Sequence, residues 1–394
     1  MKTEKLIILR SKSLARPTLD NVGPVARATG AMPVPETVKI EEAELTKKER
    51  FDLRRDPEIR AVAPAMPMKL IEPLDSKQVD AAAAAAWGIK AVKADQSPYD
   101  GKNITVAVLD TGIDPSHPAF SGINLVQKNF TSESDNDLHG HGTHCAGTIF
   151  GKDVNGVRIG IARNVSKAMI GKVLGQGGGS SATIARAIEW AVDGGANVIS
   201  MSLGIDFPGY VDWLVNSFGM NINPATSRAL EGYRANVNLF TELARYVEMQ
   251  DSFGQGTLII AASGNESKRP EYEIAVAPPA AGTGIVSVGA LQQANGGLKI
   301  AFFSNNQVDI AAPGVDITSA KRGGGLVNMS GTSMATPHVA GIAVLWAQRQ
   351  LEKVGRVEHS PMLVRLLASG VTTGLASGIE EEDVGTGIVQ APLD

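Results

Sequence analysis

The sequence has little of what marks a disulfide-stabilised, nucleic-acid-binding or membrane-spanning protein. Of its 394 residues Cys145 is the only cysteine, so no disulfide can form within the chain and no oxidising compartment is required. The formal net charge of -4 is small for this length and leaves no basic excess to attract nucleic acid. The apolar runs all fall short of the roughly 18 uncharged residues of a spanning helix. We therefore expect a soluble chain with neither a nucleic-acid nor a membrane partner.

The N-terminus also lacks a recognisable export signal. Residues 1–10 hold an apolar run that ends at Arg10 and is shorter than the apolar stretch of a secretory signal. We expect a cytoplasmic location. Secretion by another route, or removal of a signal before the first residue, would leave the same pattern.

Length and composition predict two globular units. Apolar residues make up 43% and charged residues 20%, close to the globular average. A chain of 394 residues exceeds what one hydrophobic core usually organises, so we expect one large and one smaller domain. The boundaries that we predict are a charged N-terminal unit at residues 1–78, a linker at 79–86 and a large domain at 87–394. The linker includes six consecutive alanines, which suit a helix and a slack connector equally.

The N-terminal unit has the pattern of a small α+β fold. Two short β-like runs, Leu6 to Leu9 and Ile59 to Val62, flank segments that favour helix. One of those segments is the mixed-charge stretch at residues 39–60. We predict strands at the two apolar runs and helix between them.

The large domain alternates strand-length apolar runs with helical periodicity. The runs lack polar alternation, as strands covered on both faces do. Apolar residues from Ile184 to Val192 repeat at helical spacing, with Ser180 or Ser181 as N-cap and Gly194 as a stop. This β-α-β pattern predicts an α/β fold of three layers around a mainly parallel sheet, with sites beyond the carboxyl ends of its strands. The runs are Ile104 to Leu109, Ala168 to Leu174, Val198 to Leu203, Leu258 to Ala262 and Ile285 to Val288.

An acid and a cluster of histidines stand at the ends of predicted elements. Asp110 closes the first apolar run, where an aspartate by itself is more often a turn former than a functional group. His139, His141 and His144 lie within six residues, just before a helix predicted to start near Thr143. Three imidazoles suggest zinc, but the run lacks the Glu of a His-Glu-x-x-His helix and one cysteine supplies little thiolate. We interpret His139 and His144 as structural hydrogen bonders.

A serine stands at the start of another predicted helix. Ser333 precedes an apolar stretch that ends near Trp346, and Pro337 suits the first turn of a helix, where its missing N–H costs nothing. Free backbone N–H groups and the helix dipole favour negative charge at such a position. Taken alone, Ser333 would more often be a plain N-cap than a functional residue.

Four segments together resemble the signatures of the subtilisin-like serine peptidases. Their order, acid then histidine then serine, is that of subtilisin and differs from that of chymotrypsin. The resemblance covers about residues 87–394 and implies the three-layer subtilisin-like fold and an endopeptidase. The segments are Asp-Thr-Gly-Ile-Asp from Asp110, His-Gly-Thr-His-Cys-Ala-Gly from His141, Ala-Ala-Ser-Gly-Asn ending at Asn265, and Gly-Thr-Ser-Met-Ala-Thr-Pro-His-Val-Ala-Gly from Gly331.

The resemblance implies a role for each matched residue. Ser333 is the nucleophile, His141 the general base and acid, and Asp110 the group that orients the imidazole. Asn265, together with the backbone N–H of Ser333, is implied to hold the oxyanion. The chemistry requires no cofactor. A catalytically inactive scaffold with the same fold is the alternative, although all four positions hold reactive residue types.

The resemblance also implies how a peptide substrate binds. The segment Ser202, Leu203 and Gly204 resembles one strand that pairs with the substrate backbone, and Gly177, Gly178 and Gly179 resemble the facing strand. Glu266 would lie near the rim of the primary side-chain pocket, where it could favour basic side chains or be a solvated surface carboxylate.

Three departures from a minimal family member carry further expectations. The segment 205–255 is an aromatic-rich insertion that could cover its own core, narrow the cleft or bind a partner. Asp153 and Asn155 offer oxygen ligands where many relatives bind calcium, so a structural calcium ion is possible. The unit 1–78 resembles a propeptide, which implies an intramolecular inhibitor that is cut between about Asp75 and Ala86. Cys145 is expected to be a buried, inert thiol.

Overall fold

The computed structural model describes residues 3–12, 37–53, 55–74, 76–78 and 86–394. The strands are β1 (Glu4–Lys12), β2 (Thr37–Leu45), β3 (Ile59–Pro64), β4 (Pro67–Leu70), β5 (Ser76–Gln78), β6 (Thr105–Asp110), β7 (Leu125–Asn129), β8 (Lys167–Lys172), β9 (Gly179–Ser180), β10 (Val198–Met201), β11 (Leu203–Gly204), β12 (Leu258–Ala262), β13 (Ile285–Ala294), β14 (Gly297–Ile300), β15 (Ile310–Pro313), β16 (Ile317–Ala320) and β17 (Leu326–Met329). The helices are α1 (Lys47–Leu53), α2 (Trp87–Ala91), α3 (His141–Phe150), α4 (Ser181–Asp193), α5 (Phe207–Asn216), α6 (Ile222–Met249), α7 (Thr332–Val354), α8 (His359–Ala368) and α9 (Glu381–Val384), with short 3-10 turns at Pro118–Phe120 and Gln250–Phe253.

An eight-stranded sheet forms the centre of the large domain. Its path runs β14-β13-β12-β10-β6-β8-β7, with β15 also paired to β13. The pairings are parallel except for that of β13 with β14. Each of the five predicted apolar runs supplies a strand of this sheet, so the predicted α/β class with a mainly parallel sheet is confirmed.

Both faces of the sheet are buried, which makes the fold three-layered. Along β6, Val106 and Val108 face one hydrophobic cluster while Ala107 and Leu109 face another. The first cluster holds α3 and α7, and the second holds α4 and α6. Because successive side chains of a strand point to opposite faces, this alternation places helices on both sides of the sheet.

The predicted helix after Ser180 is present as α4. The Ser180 hydroxyl accepts a hydrogen bond from the backbone N–H of Thr183, and Gly194 is the C-cap residue. Pro337, in contrast, does not lie in the first turn of α7, because that helix already begins at Thr332.

The N-terminal unit forms a three-stranded antiparallel sheet in the order β2-β1-β3. The two predicted strands are present, but the helical expectation is wrong for Thr37–Leu45, which is the edge strand β2. Its charged residues alternate with Val38 and Ile40, which lie in or against the cluster under the sheet. That alternation suits an edge strand with one solvated face, and tertiary packing overrides the local helix preference. Helix begins only at Lys47.

The N-terminal sheet packs directly on the large domain. Ile7, Leu9 and Ala63 belong to the same hydrophobic cluster as residues of α4 and α6. The predicted boundary at residues 79–86 stays a prediction, since residues 79–85 lie outside the described part of the chain.

None of the helices within the described residues combines the length and the apolar character needed to cross a bilayer.

Phe240 and Phe218 provide a test of how far the segment 205–255 is part of the core. Phe240 is fully buried among the residues of the α4–α6 cluster, whereas Phe218 is 62% exposed and touches Trp213 edge-on. We expect Phe240→Ala to lower the free energy of unfolding by about 3–5 kcal/mol because it leaves a cavity. Phe218→Ala should cost less than about 1 kcal/mol. Urea unfolding of both variants in a Ser333→Ala background measures this without self-digestion, and equal costs would contradict the core assignment.

Candidate active site

Asp110 and His141 form a buried pair at the carboxyl end of β6. Nδ1 of His141 lies 2.8 Å from Oδ1 of Asp110, and both side chains are fully buried. The same Oδ1 accepts a hydrogen bond from the backbone N–H of Thr111 at 2.7 Å. Burial by itself lowers the pKa of His141, but the adjacent Asp110 charge outweighs it, so that pKa lies well above the usual value of an imidazole.

A close approach between helix and loop makes this pair possible. His141 is the first residue of α3, two residues earlier than predicted, and Gly142 follows it. A side-chain carbon at Gly142 would come within 2.2 Å of the carbonyl oxygen of Gly112 and 3.2 Å of the Cβ of Asp110. Only glycine lets α3 come so close to the loop after β6.

Ser333 lies beside this pair, but its hydroxyl is engaged elsewhere. Its Oγ donates a hydrogen bond to the carbonyl oxygen of Ile71 at 3.0 Å. Nε2 of His141 is buried and has no hydrogen-bond partner among the described residues. The structure therefore makes the expected contact between carboxylate and imidazole, and it turns the serine hydroxyl toward the N-terminal segment instead of toward the imidazole.

The backbone of Ser333 is held by two neighbouring elements. In a regular helix its carbonyl oxygen would accept the N–H of residue 337, which is Pro337 and has none. Instead the Ser202 hydroxyl donates to that oxygen at 3.0 Å and the Cys145 thiol at 3.4 Å. Cys145 is buried as expected, and burial raises the pKa of its thiol.

Asn265 faces the same segment as Ser333. Its Oδ1 accepts hydrogen bonds from the backbone N–H and the hydroxyl of Thr332, both at 2.9 Å, which fixes the orientation of the amide. Its Nδ2 donates to the carbonyl oxygen of Glu72 at 3.1 Å. The serine and the asparagine thus bind consecutive carbonyl groups of one passing chain.

That chain is the segment that follows the N-terminal sheet. Strand β4 pairs antiparallel with β11, Leu70 opposite Leu203 and Lys69 opposite Gly204, and with β9, where Met68 lies opposite Gly179. The chain then passes Ser333 at residues 71–72. Beyond it, β5 pairs antiparallel with β17. Residues 67–74 and 76–78 therefore line the cleft on both sides of the serine.

The residues predicted to bind substrate fall into two groups. Leu203, Gly204 and Gly179 pair with β4, and a side-chain carbon at Gly178 would come within 2.7 Å of the carbonyl oxygen of Met68. Gly177 lies in the tight turn between Gly175 and Gly178 and does not pair with β4, and Ser202 binds the carbonyl of Ser333 instead.

The three clustered histidines have three different partners. Nε2 of His144 is 2.9 Å from the carbonyl oxygen of Ile317, and burial lowers its pKa to about 3. The side chain of His139 is 43% exposed, and its Nε2 lies 3.6 Å from a carboxylate oxygen of Glu72, so the structural interpretation of His139 stays a prediction. The imidazoles do not converge as zinc ligands would.

The segment proposed for calcium contains an ion pair. Oδ1 of Asp153 lies 3.0 Å from a guanidinium nitrogen of Arg163, and Asn155 has a positive φ of 51° in the turn between Val154 and Val157. Calcium binding at this loop stays a prediction.

A largely apolar pocket of about 220 Å³ adjoins Asn265. Glu266 lines this pocket and is partly buried, and its carboxylate accepts a hydrogen bond from Nδ2 of Asn305 at 2.8 Å. Burial raises the pKa of Glu266. The solvated-surface interpretation of Glu266 is therefore wrong. The segment 205–255 contributes Phe207, Pro208, Leu230 and Tyr233 to this pocket.

Comparison with known proteins agrees with this geometry. The profile of the subtilase family (peptidase S8) matches residues 101–369. A thermostable alkaline protease of Halalkalibacterium halodurans is 30% identical over 321 residues, which is 80% of this chain and 74% of the relative. The major intracellular serine protease of Bacillus subtilis is 33% identical over 294 residues, 71% of this chain and 81% of the relative. Subtilisin-like protease 6 of Trichophyton schoenleinii is 33% identical over 270 residues, 65% of this chain and 58% of the relative. The chain belongs to the subtilase family.

Proposed function

We propose that this subtilase is a serine endopeptidase in which Asp110, His141, Ser333 and Asn265 perform the chemistry. The observation that carries the proposal is the fully buried Asp110–His141 pair beside a serine and an asparagine that both bind backbone carbonyls of an extended chain. A substrate whose scissile carbonyl faced both Ser333 and Asn265 in this cleft would meet a nucleophile, a base and an oxyanion donor at once.

Each residue then has a defined step. The Ser333 hydroxyl is too weak a nucleophile at neutral pH, so His141 takes its proton as Oγ attacks the carbonyl carbon, and later passes it to the leaving amine. Asp110 keeps Nδ1 of His141 protonated and stabilises the cation. The amide of Asn265 and the N–H of Ser333 hold the oxyanion; loss of one such donor typically costs about 10²- to 10³-fold in kcat. Water then hydrolyses the acyl-enzyme.

We further propose that the N-terminal segment is an intramolecular inhibitor. Three observations support this. Strand β4 lies between β9 and β11, where the family resemblance implies that a substrate strand binds. Ile71 is buried and its carbonyl accepts the Ser333 hydroxyl, while Nε2 of His141 has no hydrogen-bond partner among the described residues. The segment resists cleavage at the serine because productive attack requires nucleophile and oxyanion donor to address one carbonyl, whereas here they bind those of Ile71 and Glu72. The bond that follows Glu72 is a tertiary amide to Pro73.

Removal of this segment is the activating step in the proposal. Cleavage between about Asp75 and Ala86 would separate the inhibitor from the large domain. Of that region only residues 76–78 and 86 are described, and residues 76–78 are paired as β5. We also propose a cytoplasmic site of action, which is supported by the name of the Bacillus subtilis relative, an intracellular serine protease.

The identity of the nucleophile is tested with a fluorophosphonate probe. We expect labelling of Ser333 to appear as the N-terminal segment is lost, and to be absent from Ser333→Ala. The kcat of Ser333→Ala should be about 10⁶-fold below that of wild type, because the triad acts as a unit. Mass spectrometry of the labelled peptide locates the adduct. An inactive scaffold would stay unlabelled even after the segment has been removed.

The pH dependence of kcat/KM tests the Asp110–His141 pair. His141 must be neutral to accept a proton, and its pKa is raised, so activity should fall as the pH drops through a pKa well above 6.5. Asp110→Asn removes the stabilising charge, so the acid limb should move to lower pH while kcat falls about 10⁴-fold. Peptide hydrolysis measured across pH values checks both effects, and an unmoved acid limb in Asp110→Asn would count against the assignment.

Inhibition by the N-terminal segment is tested with two aspartate substitutions. Ile71 is 5% exposed in the cleft, whereas Leu74 is 46% exposed. Ile71→Asp would bury an unpaired carboxylate, so we expect the freshly purified full chain to hydrolyse a quenched peptide about tenfold or more faster than wild type. Leu74→Asp is the matched control and should behave as wild type. Equal initial rates in all three chains would refute intramolecular inhibition.

A further inference from the structure

A buried carboxylate outside the proposed triad lies between the two elements that carry Asp110 and His141. Asp137 is 2% exposed, in the loop that leads into α3. No lysine or arginine within the described residues forms a salt bridge with it. An uncompensated carboxylate is costly to bury, so its hydrogen bonds must replace the lost hydration.

Asp137 accepts five hydrogen bonds. Its Oδ1 accepts from the hydroxyl of Thr111 at 2.9 Å and from the backbone N–H groups of His139 and Gly140 at 3.0 and 2.7 Å. Its Oδ2 accepts from the backbone N–H and the hydroxyl of Thr143, at 3.0 and 2.6 Å. Thr111 directly follows Asp110, and Thr143 stands two residues after His141, so one carboxylate binds both sides of the catalytic pair.

The hydroxyls of Thr111 and Thr143 also link the loop after β6 directly to α3. The Thr111 hydroxyl accepts the backbone N–H of Gly142 in α3 at 2.9 Å. The Thr143 hydroxyl accepts the backbone N–H of Asp114 in the loop after β6, also at 2.9 Å. Each hydroxyl therefore donates to Asp137 and accepts from the opposite element. The loop and the helix are cross-bonded twice, around the close contact that Gly142 permits.

We propose that Asp137, Thr111 and Thr143 form a clasp that positions Asp110 against His141. This rests on the proposed function, because a positioning residue matters only if the pair does chemistry. The clasp needs a carboxylate, since both of its oxygens must accept and a carboxylate is the one side chain that supplies two acceptors without a donor. Catalytic groups must be held within about 0.5 Å of their productive positions, so hydrogen bonds that fix the loop after β6 against α3 should raise the rate.

A simpler role for Asp137, capping the N-terminus of α3, makes a different prediction. A cap would stabilise the helix through the N–H groups it binds and would not depend on a hydroxyl in the loop after β6. Thr111 lies in that loop, outside the helix. Its hydroxyl therefore separates the two roles.

The test compares threonine and valine at three buried positions. Thr111→Val and Thr143→Val keep the shape of the side chain and remove the hydroxyl, while Thr111→Ser and Thr143→Ser keep the hydroxyl. Thr148→Val is the matched control, since Thr148 is a buried residue of α3 whose hydroxyl donates to the carbonyl of His144 at 3.1 Å, away from the clasp. Rates are measured with a peptide substrate and divided by the serine titrated with fluorophosphonate, so that slow activation does not enter.

We expect each clasp valine to lower kcat about 10- to 100-fold with little change in KM, because a displaced catalytic pair weakens the transition state and leaves peptide binding intact. The serine variants should recover most of the loss, and Thr148→Val should stay near wild type. Asp137→Asn, which replaces an acceptor with a donor, should lose at least as much kcat as either valine.

The proposed positioning role is refuted if Thr111→Val retains the kcat of Thr148→Val, or if Thr111→Ser and Thr111→Val have the same kcat. Thermal unfolding of each variant in the Ser333→Ala background is the second measurement. A fall in kcat matched only by global unfolding at the assay temperature would also reject the positioning role. Failure of wild type to react with fluorophosphonate would instead reject the proposed function, so the two failures are distinguishable.

Discussion

The arrangement of the site depends on one contact, the 2.8 Å hydrogen bond between a carboxylate and an imidazole that are both fully buried. Asp110 is the last residue of β6, a strand in the middle of a parallel sheet, so its backbone is fixed by neighbours on both sides. His141 is the first residue of α3, which lies over one face of that sheet. The position of the pair is therefore decided by how a helix packs on a strand, and the charge of Asp110 is strong there because little water screens it.

The same sheet brings the other groups of the site to one edge. The strands β6, β10 and β12 are neighbours, and Asp110, Ser202 and Asn265 stand at or just beyond their carboxyl ends. The N-terminal unit covers this edge, because the segment that follows its sheet passes over Ser333 and Asn265. Met66 exchanges two hydrogen bonds with Ser181 at the start of α4, and ion pairs such as Arg50 with Glu231 tie helix α1 of this unit to α6. The segment that covers the cleft is thus held twice, in the cleft by β4 and the bonds to Ser333 and Asn265, and outside it by the contacts of the N-terminal unit with α4 and α6.

Much of this could be predicted from the sequence, because local patterns determine it. Uninterrupted apolar runs predicted the central strands, and Ser180 predicted a helix start. The family motifs singled out Asp110, His141, Ser333 and Asn265, whose catalytic roles stay predictions. Features that depend on tertiary packing could not be predicted. The edge strand Thr37–Leu45 carries a helix-favouring composition, and only its pairing with β1 makes it a strand. The role of Asp137 depends on donors from two elements that meet only in the folded chain, and the crossing point at Ile71 depends on the register of β4.

The proline inside α7 changes which groups hold the backbone of Ser333. Because Pro337 leaves the Ser333 carbonyl without its helical partner, that peptide group is tethered sideways, to the hydroxyl of Ser202 and the thiol of Cys145. Ser202 immediately precedes β11, which pairs with β4, and its carbonyl oxygen also accepts the Ser333 hydroxyl at 3.4 Å. Cys145 stands one turn beyond His141. A displacement of β11 would therefore reach Ser333 through two hydrogen bonds, so that strand pairing in the cleft and the position of the Ser333 hydroxyl are mechanically linked.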